Sequence, residues 1–301
     1  MLELTIYSVD HGSAAHLRTP DGQLVVFDAG ASDLGLSPVQ RILLRAHRAN
    51  TAPQVDGLVL SHAHADHIRE LEAFSGSLAP RWLYRNRSTP AHLVYAAAGL
   101  SSASGALKRF AELDATYNVA IPFPRNRLLL PGEPEPYLRE VRLHFLGLTM
   151  FDFDNGVAGL NNLSLVTIVR FGNLSVVLPG DIEPLGQLLL LAKPGVRDLL
   201  REGAYRVLIA PHHGRRSGIA YGDSVYPQFV DAICPSIVIV SDVHGSEHTC
   251  PELYRERATG HFVRCDGDGT KSCVRTVLTT KTNDYIVVRH DGQSLPTISV
   301  P

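Results

Sequence analysis

Short apolar runs broken by glycine-containing turns open this chain. Leu4 to Val9, Ala14 to Arg18 and Leu24 to Phe27 read as strands of a meander, separated at His11-Gly12 and Asp21-Gly22. The pattern then changes period. Ser37-Pro38 predicts a helix through His47, with Ser37 as N-cap and Pro38 at the first helical position. Val55 to Leu60 is apolar enough for a buried strand, and His67 to Phe74 follows as a short helix. Residues 90–118 are helical in pattern but interrupted between Gly99 and Gly105, which predicts an inserted helical pair over one edge of the core. Val141 to Leu148, Leu163 to Phe171 and Leu174 to Leu178 are strands, the last two joined by a hairpin at Gly172-Asn173. Pro184 to Glu202 is helical with a break at Pro194-Gly195. Strands at Val207 to Ala210, Ile237 to Val240 and Phe262 to Cys265 alternate with helices at Asp223 to Ile233 and Pro251 to Ala258. Val274 to Thr279 and Tyr285 to Arg289 close the series as strands. This order predicts an α/β protein, two sheets packed face to face with helices outside, in one domain over residues 1–301.

Composition narrows the function. Of 301 residues, 45% are hydrophobic, so a large core is available. A formal net charge of −2 gives no global field for nucleic acid, although a local basic patch remains open. The four cysteines, Cys234, Cys250, Cys265 and Cys273, form no C-x-x-C pair and suggest no disulfide framework. The N-terminus lacks the pattern of a signal peptide and no run approaches the ~20 apolar residues of a bilayer span. The expectation is a cytoplasmic protein with no membrane association. Nothing in the sequence specifies a protein partner or an oligomer.

The chemistry concentrates at residues 61–67, Ser-His-Ala-His-Ala-Asp-His. His62, His64, Asp66 and His67 lie at the end of the strand ending at Leu60, where α/β proteins commonly place ligands. Imidazole and carboxylate together suit zinc, manganese or iron. In an extended turn His62, His64 and Asp66 share one side and His67 begins a helix beside them. This arrangement predicts two metals, His62 and His64 on one, Asp66 and His67 on the other. A solvated His-rich turn is the bland alternative.

Four further strand ends carry ligand-type residues. Asp28 follows the third strand and is placed to accept the second N–H of a ligand histidine. Asp181 follows a strongly apolar strand, and its two oxygens suit a bridge between metals. In Pro211-His212-His213-Gly214, adjacent histidines in an extended chain point opposite ways, so one is a ligand and the other supports it. His248 lies in Gly245-Ser246-Glu247-His248-Thr249, with site and surface equally open. Each alone is also an ordinary turn residue.

Taken together, Asp28, His62-x-His64-x-Asp66-His67, Asp181 and His213 resemble the metallo-β-lactamase-fold hydrolases, in that superfamily's order. Within it the chain is most similar to the metallohydrolase domain of ComEC competence proteins and its free-standing relatives, through Thr19-Pro20-Asp21-Gly22, Asn161-Asn162-Leu163-Ser164, Pro179-Gly180-Asp181-Ile182-Glu183, Pro211-His212-His213-Gly214 and the tail at Asp266-Gly267-Asp268-Gly269. The resemblance implies a four-layer αββα sandwich of two mixed sheets. It also implies two divalent ions, Zn²⁺ first and Mn²⁺ second, held by His62, His64, Asp66, His67, Asp181 and His213. They would activate a hydroxide roughly 3.5–4 Å metal to metal, with Asp66 and Asp181 essential to turnover and His248 or His212 donating a proton to the leaving group. Two departures stand out. The histidine that relatives supply to the first metal from the region near 145–165 is missing, His144 falling inside a strand and Asn162 or Ser164 occupying its place. Ser13 stands where many relatives are acidic, and His11 lies near that turn.

A phosphodiester of nucleic acid or a nucleotide is the expected substrate, with Arg215 and Arg216 beside the His-His-Gly segment as the phosphate grip and Arg201, Arg206 and Lys271 as further candidates. Acyl, thioester or lactone hydrolysis at the same metals is the alternative. A metal-bound sensor or scaffold without catalysis is another, favoured by the missing histidine.

Overall fold

The computed structural model describes residues 1–9, 12–31, 37–87, 104–117, 138–153, 159–242, 248–264, 272–282 and 284–300. The first strands form as the pattern predicts: β1 (Leu2–Tyr7), β2 (Ala15–Arg18) and β3 (Leu24–Phe27) make an antiparallel meander. Helix α1 (Pro38–Arg48) follows, capped by Ser37, whose Oγ accepts the Gln40 N–H while the Gln40 side chain accepts the Ser37 N–H. Strand β4 (Gly57–Leu60) pairs parallel to β3, and β5 (Trp82–Arg85) parallel to β4. Between them lies the four-residue helix α2 (Ala65–Ile68), with a separate 3₁₀ turn at Leu71–Ala73 where a single helix to Phe74 was expected.

Helix α3 (Gly105–Thr116) is the described part of the predicted insertion; residues 90–103 and 118 lie outside the described residues. It buries Leu107, Phe110 and Leu113 against Leu71 and Phe74, and Asp114 accepts two hydrogen bonds from Arg85 on the edge strand.

The second sheet is built from β6 (Arg142–Leu146), β7 (Val166–Phe171), β8 (Leu174–Leu178) and β9 (Tyr205–Ile209), with the hairpin at Gly172-Asn173 as predicted. Helices α4 (Pro184–Leu191) and α5 (Val196–Arg201) are divided at Pro194-Gly195. A two-residue ladder, β10 (Ala220–Tyr221) with β11 (Ser224–Val225), takes up the start of the helix expected from Asp223, so α6 spans only Gln228–Ile233. Then come β12 (Ile237–Val240), α7 (Glu252–Arg255), β13 (His261–Arg264), β14 (Ser272–Arg275), β15 (Val277–Thr279), β16 (Tyr285–His290) and β17 (Thr297–Ser299).

Two mixed sheets result, nine strands in the order β14-β13-β17-β16-β1-β2-β3-β4-β5 and six in the order β15-β12-β9-β8-β7-β6. The run Val274 to Thr279, expected as one strand, breaks at Thr276: β14 joins the first sheet and β15 the second. A strand crossing between stacked sheets must bend at the corner, and its apolar pattern continues across the bend. Leu4, Ile6, Phe145, Val176, Val207 and Ile239 fill the space between the sheets. Leu190, Leu200, Phe229 and Ile233 seat α4 to α6 on the outer face of the six-stranded sheet. Val39, Ile42 and Phe110 seat α1 and α3 on that of the other. The chain is therefore a four-layer αββα sandwich. Because β3 runs parallel to β4 and β8 to β9, the segments after all four leave from C-terminal ends and meet along one edge.

Candidate metal centre

Asp28 follows β3 with φ at +56°, in the left-handed region. Its Oδ1 accepts the Ser61 N–H at 2.7 Å, and its Oδ2 lies 2.8 Å from Ser61 Oγ and 2.9 Å from His67 Nδ1. With Nδ1 held there, His67 turns Nε2 toward Asp181. Gly12 lets the β1–β2 loop close on this segment, since a Cβ there would meet the Asp66 carbonyl oxygen at 2.2 Å.

Asp181 is the hub, buried at 2% exposure. Its Oδ1 is 3.2 Å from His67 Nε2 and 3.2 Å from His213 Nε2. Its Oδ2 is 3.6 Å from His212 Nε2 and 3.9 Å from His62 Nε2. Asp66 joins the first set, with Oδ2 3.6 Å from His213 Nε2, and His64 the second, with Nδ1 2.9 Å from His62 Nε2. Asp66, His67, Asp181 and His213 offer four ligand atoms within 4.8 Å of one another. Asp181 Oδ1 accepts no hydrogen bond despite its burial and its two imidazole neighbours. Buried polar groups are ordinarily paired. Imidazole nitrogens and carboxylate oxygens crowded this closely, with Asp181 Oδ1 left unpaired, fit a divalent cation.

Electrostatics agree. Burial is the largest influence on His62 and pushes its pKa well below the ordinary value, so it is a neutral lone-pair donor. Burial acts the same way on His67, but the carboxylates of Asp181 and Asp28 outweigh it and hold its pKa well above the ordinary value. His213 is likewise raised, by Asp181 and Asp66. The half of the site around His67 and His213 thus draws positive charge.

His212 and His213 correct an expectation. They are not extended: φ is +49° and +57°, and Gly214 continues at +75°. This left-handed turn brings both Nε2 atoms to Asp181, one to each oxygen. Left-handed backbone costs a non-glycine residue roughly 1–2 kcal/mol, and such strain persists where the surroundings fix it. Here the His212 N–H donates to the Gly180 carbonyl at 3.0 Å, and Nδ1 of His212 sits 2.9 Å from Ser217 Oγ and 3.4 Å from Glu183 Oε1. Glu183 is steadied by the Asn161 amide at 3.2 Å.

Other predicted residues fall elsewhere. Asn162 is buried, and its Oδ1 accepts the N–H groups of Glu183 and Gly186, so it secures the start of α4 instead of facing substrate. Ser164, one of the two residues in the place of the missing histidine, accepts the Asp181 N–H on Oγ at 3.1 Å and lies 3.4 Å from His62 Nδ1. The supporting roles of Ser61, Glu183 and Ser217 were missed, since each depends on contacts with another segment or turn. His144 is a buried strand residue of β6, as expected. His248 is exposed and is not among the four clustered ligand-type residues. Arg215 leaves the His-His-Gly turn half-buried and its backbone bridges to Thr249, while Arg216 is exposed. Arg201 and Arg206 instead bond carbonyls of Asp231 and Cys234 at the opposite end of β9, about 13 Å of strand away. His11, Lys271 and the tail at 266–269 lie outside the described residues.

The model of the metallo-beta-lactamase superfamily matches residues 9–218. The chain belongs to this superfamily of metal-dependent hydrolases. Among solved structures, a diphosphatase described as from the PhnP family is 12% identical, covering 97% of this chain and 98% of its own, at a TM-score of 0.47. A putative metal-dependent hydrolase from Parabacteroides distasonis is 13% identical over 92% of this chain and 93% of its own, at 0.43. Zn²⁺-bound PqqB from Methylobacterium extorquens is 11% identical over 68% and 72%, at 0.38. No curated protein matches the chain. Among the described residues, no helix is long and apolar enough to cross a membrane.

Proposed function

We propose that the protein is a two-metal phosphodiesterase of the ComEC-like kind. One observation carries the reading: the Asp181 carboxylate meets a different set of imidazoles at each oxygen, His67 and His213 at Oδ1, His62 and His212 at Oδ2. Asp66, His67, His213 and Asp181 would hold one divalent ion. His62, His64, His212 and Asp181 would hold the other, with His212 supplying the imidazole missing near 145–165. Ions there supply Lewis acidity and a bound water whose pKa is lowered toward about 7.

The remaining work belongs to the chain. Asp28 and Ser61 fix the ring of His67, and Ser217 and Glu183 fix that of His212, so both keep Nε2 toward the carboxylate. The buried floor of Asp181 and His67 excludes water from beneath the reacting atoms. Arg215, next to the His-His-Gly turn, is placed to bind a phosphate oxygen by a charge-assisted bond. The half-buried His212 lies nearer solvent than His213, and Asp66 is the half-buried member of an otherwise buried set, so substrate approaches from that side.

The test is metal content of the purified protein together with turnover of bis-p-nitrophenyl phosphate and of a model thioester, each with added Zn²⁺ or Mn²⁺. Two metals per chain and phosphodiester cleavage are expected. Thioester turnover without phosphodiester turnover would replace the substrate assignment, and no turnover with two tightly held metals would leave a metal-binding scaffold.

A further inference from the structure

The outer face of the nine-stranded sheet is polar where an apolar face is usual beneath a helix. In β1, Leu2, Leu4 and Ile6 point into the core, so Glu3, Thr5 and Tyr7 point outward. Their cross-strand partners Arg18, His16, Arg289 and Tyr285 share that outward face. Helix α1 covers it only in part. Its apolar stripe, Val39, Ile42 and Ala46, packs over β3 and β4, and its other side carries Arg41, Arg45 and Arg48 across β2 and β1. A cleft of about 360 Å³ remains between them.

Its walls are cationic. Arg41, Arg45, Arg48 and Arg289 line it, against the single carboxylate of Glu3. Glu3 pairs with both Arg45 and Arg289, the latter at 2.8 Å, so these two guanidinium groups share one carboxylate, and Asp284 pairs with Arg41 at 2.8 Å. At the floor His16 is 4% exposed, and its Nε2 has no hydrogen-bond partner. Its Nδ1 lies 2.7 Å from the Tyr7 hydroxyl. With Tyr7 donating to Nδ1, the proton of the neutral ring sits on Nε2, a buried donor in a residue that lines the cleft. The Arg41 guanidinium lies 5.1 Å from the ring centre of Tyr285 and 6.0 Å from that of Tyr7, leaving aromatic surface beside the cations.

Surplus guanidinium forks, a buried unsatisfied donor and flat aromatic walls in a volume within the usual range for ligand sites fit one chemical class. We infer that this cleft, outside the metal centre, binds a phosphorylated small molecule of nucleotide size, its phosphate on Arg45, Arg48 and His16 and its ring against Tyr285. This inference does not depend on the reaction at the metals.

Calorimetric titration of the metal-loaded protein with AMP, with adenosine and with a single-stranded oligonucleotide tests it. AMP should bind saturably and adenosine at least about tenfold more weakly, because the phosphate carries the charge-assisted bonds. Arg48→Glu changes an exposed residue at the end of α1 and should weaken AMP by about tenfold or more, a charge reversal at a phosphate contact. His16→Phe, which keeps a ring and removes the Nε2 donor, should weaken it severalfold in protein whose far-ultraviolet circular dichroism at the titration temperature is unchanged. Asp181→Asn should leave AMP binding intact. Absence of saturable AMP binding overturns the proposal, as does AMP binding that survives Arg48→Glu and His16→Phe or disappears in Asp181→Asn. Tight oligonucleotide binding that requires the same arginines, with weak AMP, would overturn the small-molecule assignment.

Discussion

Two pairs of histidines gather beside the Asp181 carboxylate on opposite backbones. His62 and His64 are separated by Ala63 in a turn leaving β4, so an extended chain puts both rings on one side. His212 and His213 are adjacent, and extended backbone would have set them apart; the left-handed turn at φ +49° and +57° brings both inward. The first pair is inexpensive in backbone energy. The second is strained and needs Ser217, Glu183 and the Gly180 carbonyl to stay in place. Strain held by neighbours on other elements marks the His-His-Gly turn as a feature built for the site.

The comparison breaks most visibly at its shared centre. Asp181→Ala should cut phosphodiester turnover by at least about a hundredfold, since several kcal/mol of charge stabilisation depend on the ions it joins. Metal content measured by plasma mass spectrometry should fall with it. Wild-type turnover in this variant would sink the two-metal reading.

Next come the two arms. If the pairs are equivalent, His64→Ala and His212→Ala should each reduce metal content from two per chain toward one, with the visible spectrum of the cobalt-substituted protein changing in both. Two full metals in His212→Ala would show that the adjacent pair supplies a single ligand.

Asp28→Asn sharpens the contrast from outside. It keeps the shape but weakens the hold on His67 Nδ1, and affinity at the Asp66–His67–His213 set should drop by about 10–100-fold, the usual effect of losing such a partner. Chelator competition measures it.

A smaller effect isolates strain. In the metal-free protein His212→Gly should be more stable to urea than His212→Ala by roughly 1–2 kcal/mol, because glycine accepts the left-handed backbone that alanine resists. Equal midpoints would mean the turn carries no strain.

Stability away from the site should follow two neutral buried imidazoles. Burial depresses His16 to about 3 and His144 to about 4. Below the ordinary histidine value of about 6.5 the unfolded chain takes up protons that the folded one refuses, so stability falls as pH drops from there toward those lowered values. His16→Gln should flatten the urea-midpoint profile between about pH 6 and 4; an unchanged slope would mean that His16 is protonated in the fold.

Much of the architecture was legible because it is local. The Ser37-Pro38 cap, the Gly172-Asn173 hairpin and the break at Pro194-Gly195 are set by residues within a few positions. Strand β5 escaped notice because it is a four-residue edge strand with too few positions to show a period; Asn162 was marked as a candidate, but its bond to the start of α4 was not legible because it depends on a residue 21 positions later.

The sequence alone determined the chemistry of His62, His64, Asp66 and His67, since a period of two fixes which side chains share a face. It also marked Asp28 and Asp181 as carboxylates at strand ends. Only the tertiary structure decided that His212 and His213 both turn inward, that His248 stays on the surface, that Arg201 and Arg206 lie at the far end of β9, and that polar faces of β1, β2 and α1 enclose a cationic cleft. Those outcomes depend on which strands run parallel and what packs against a turn, and such contacts join residues too distant in the chain for any local pattern to record.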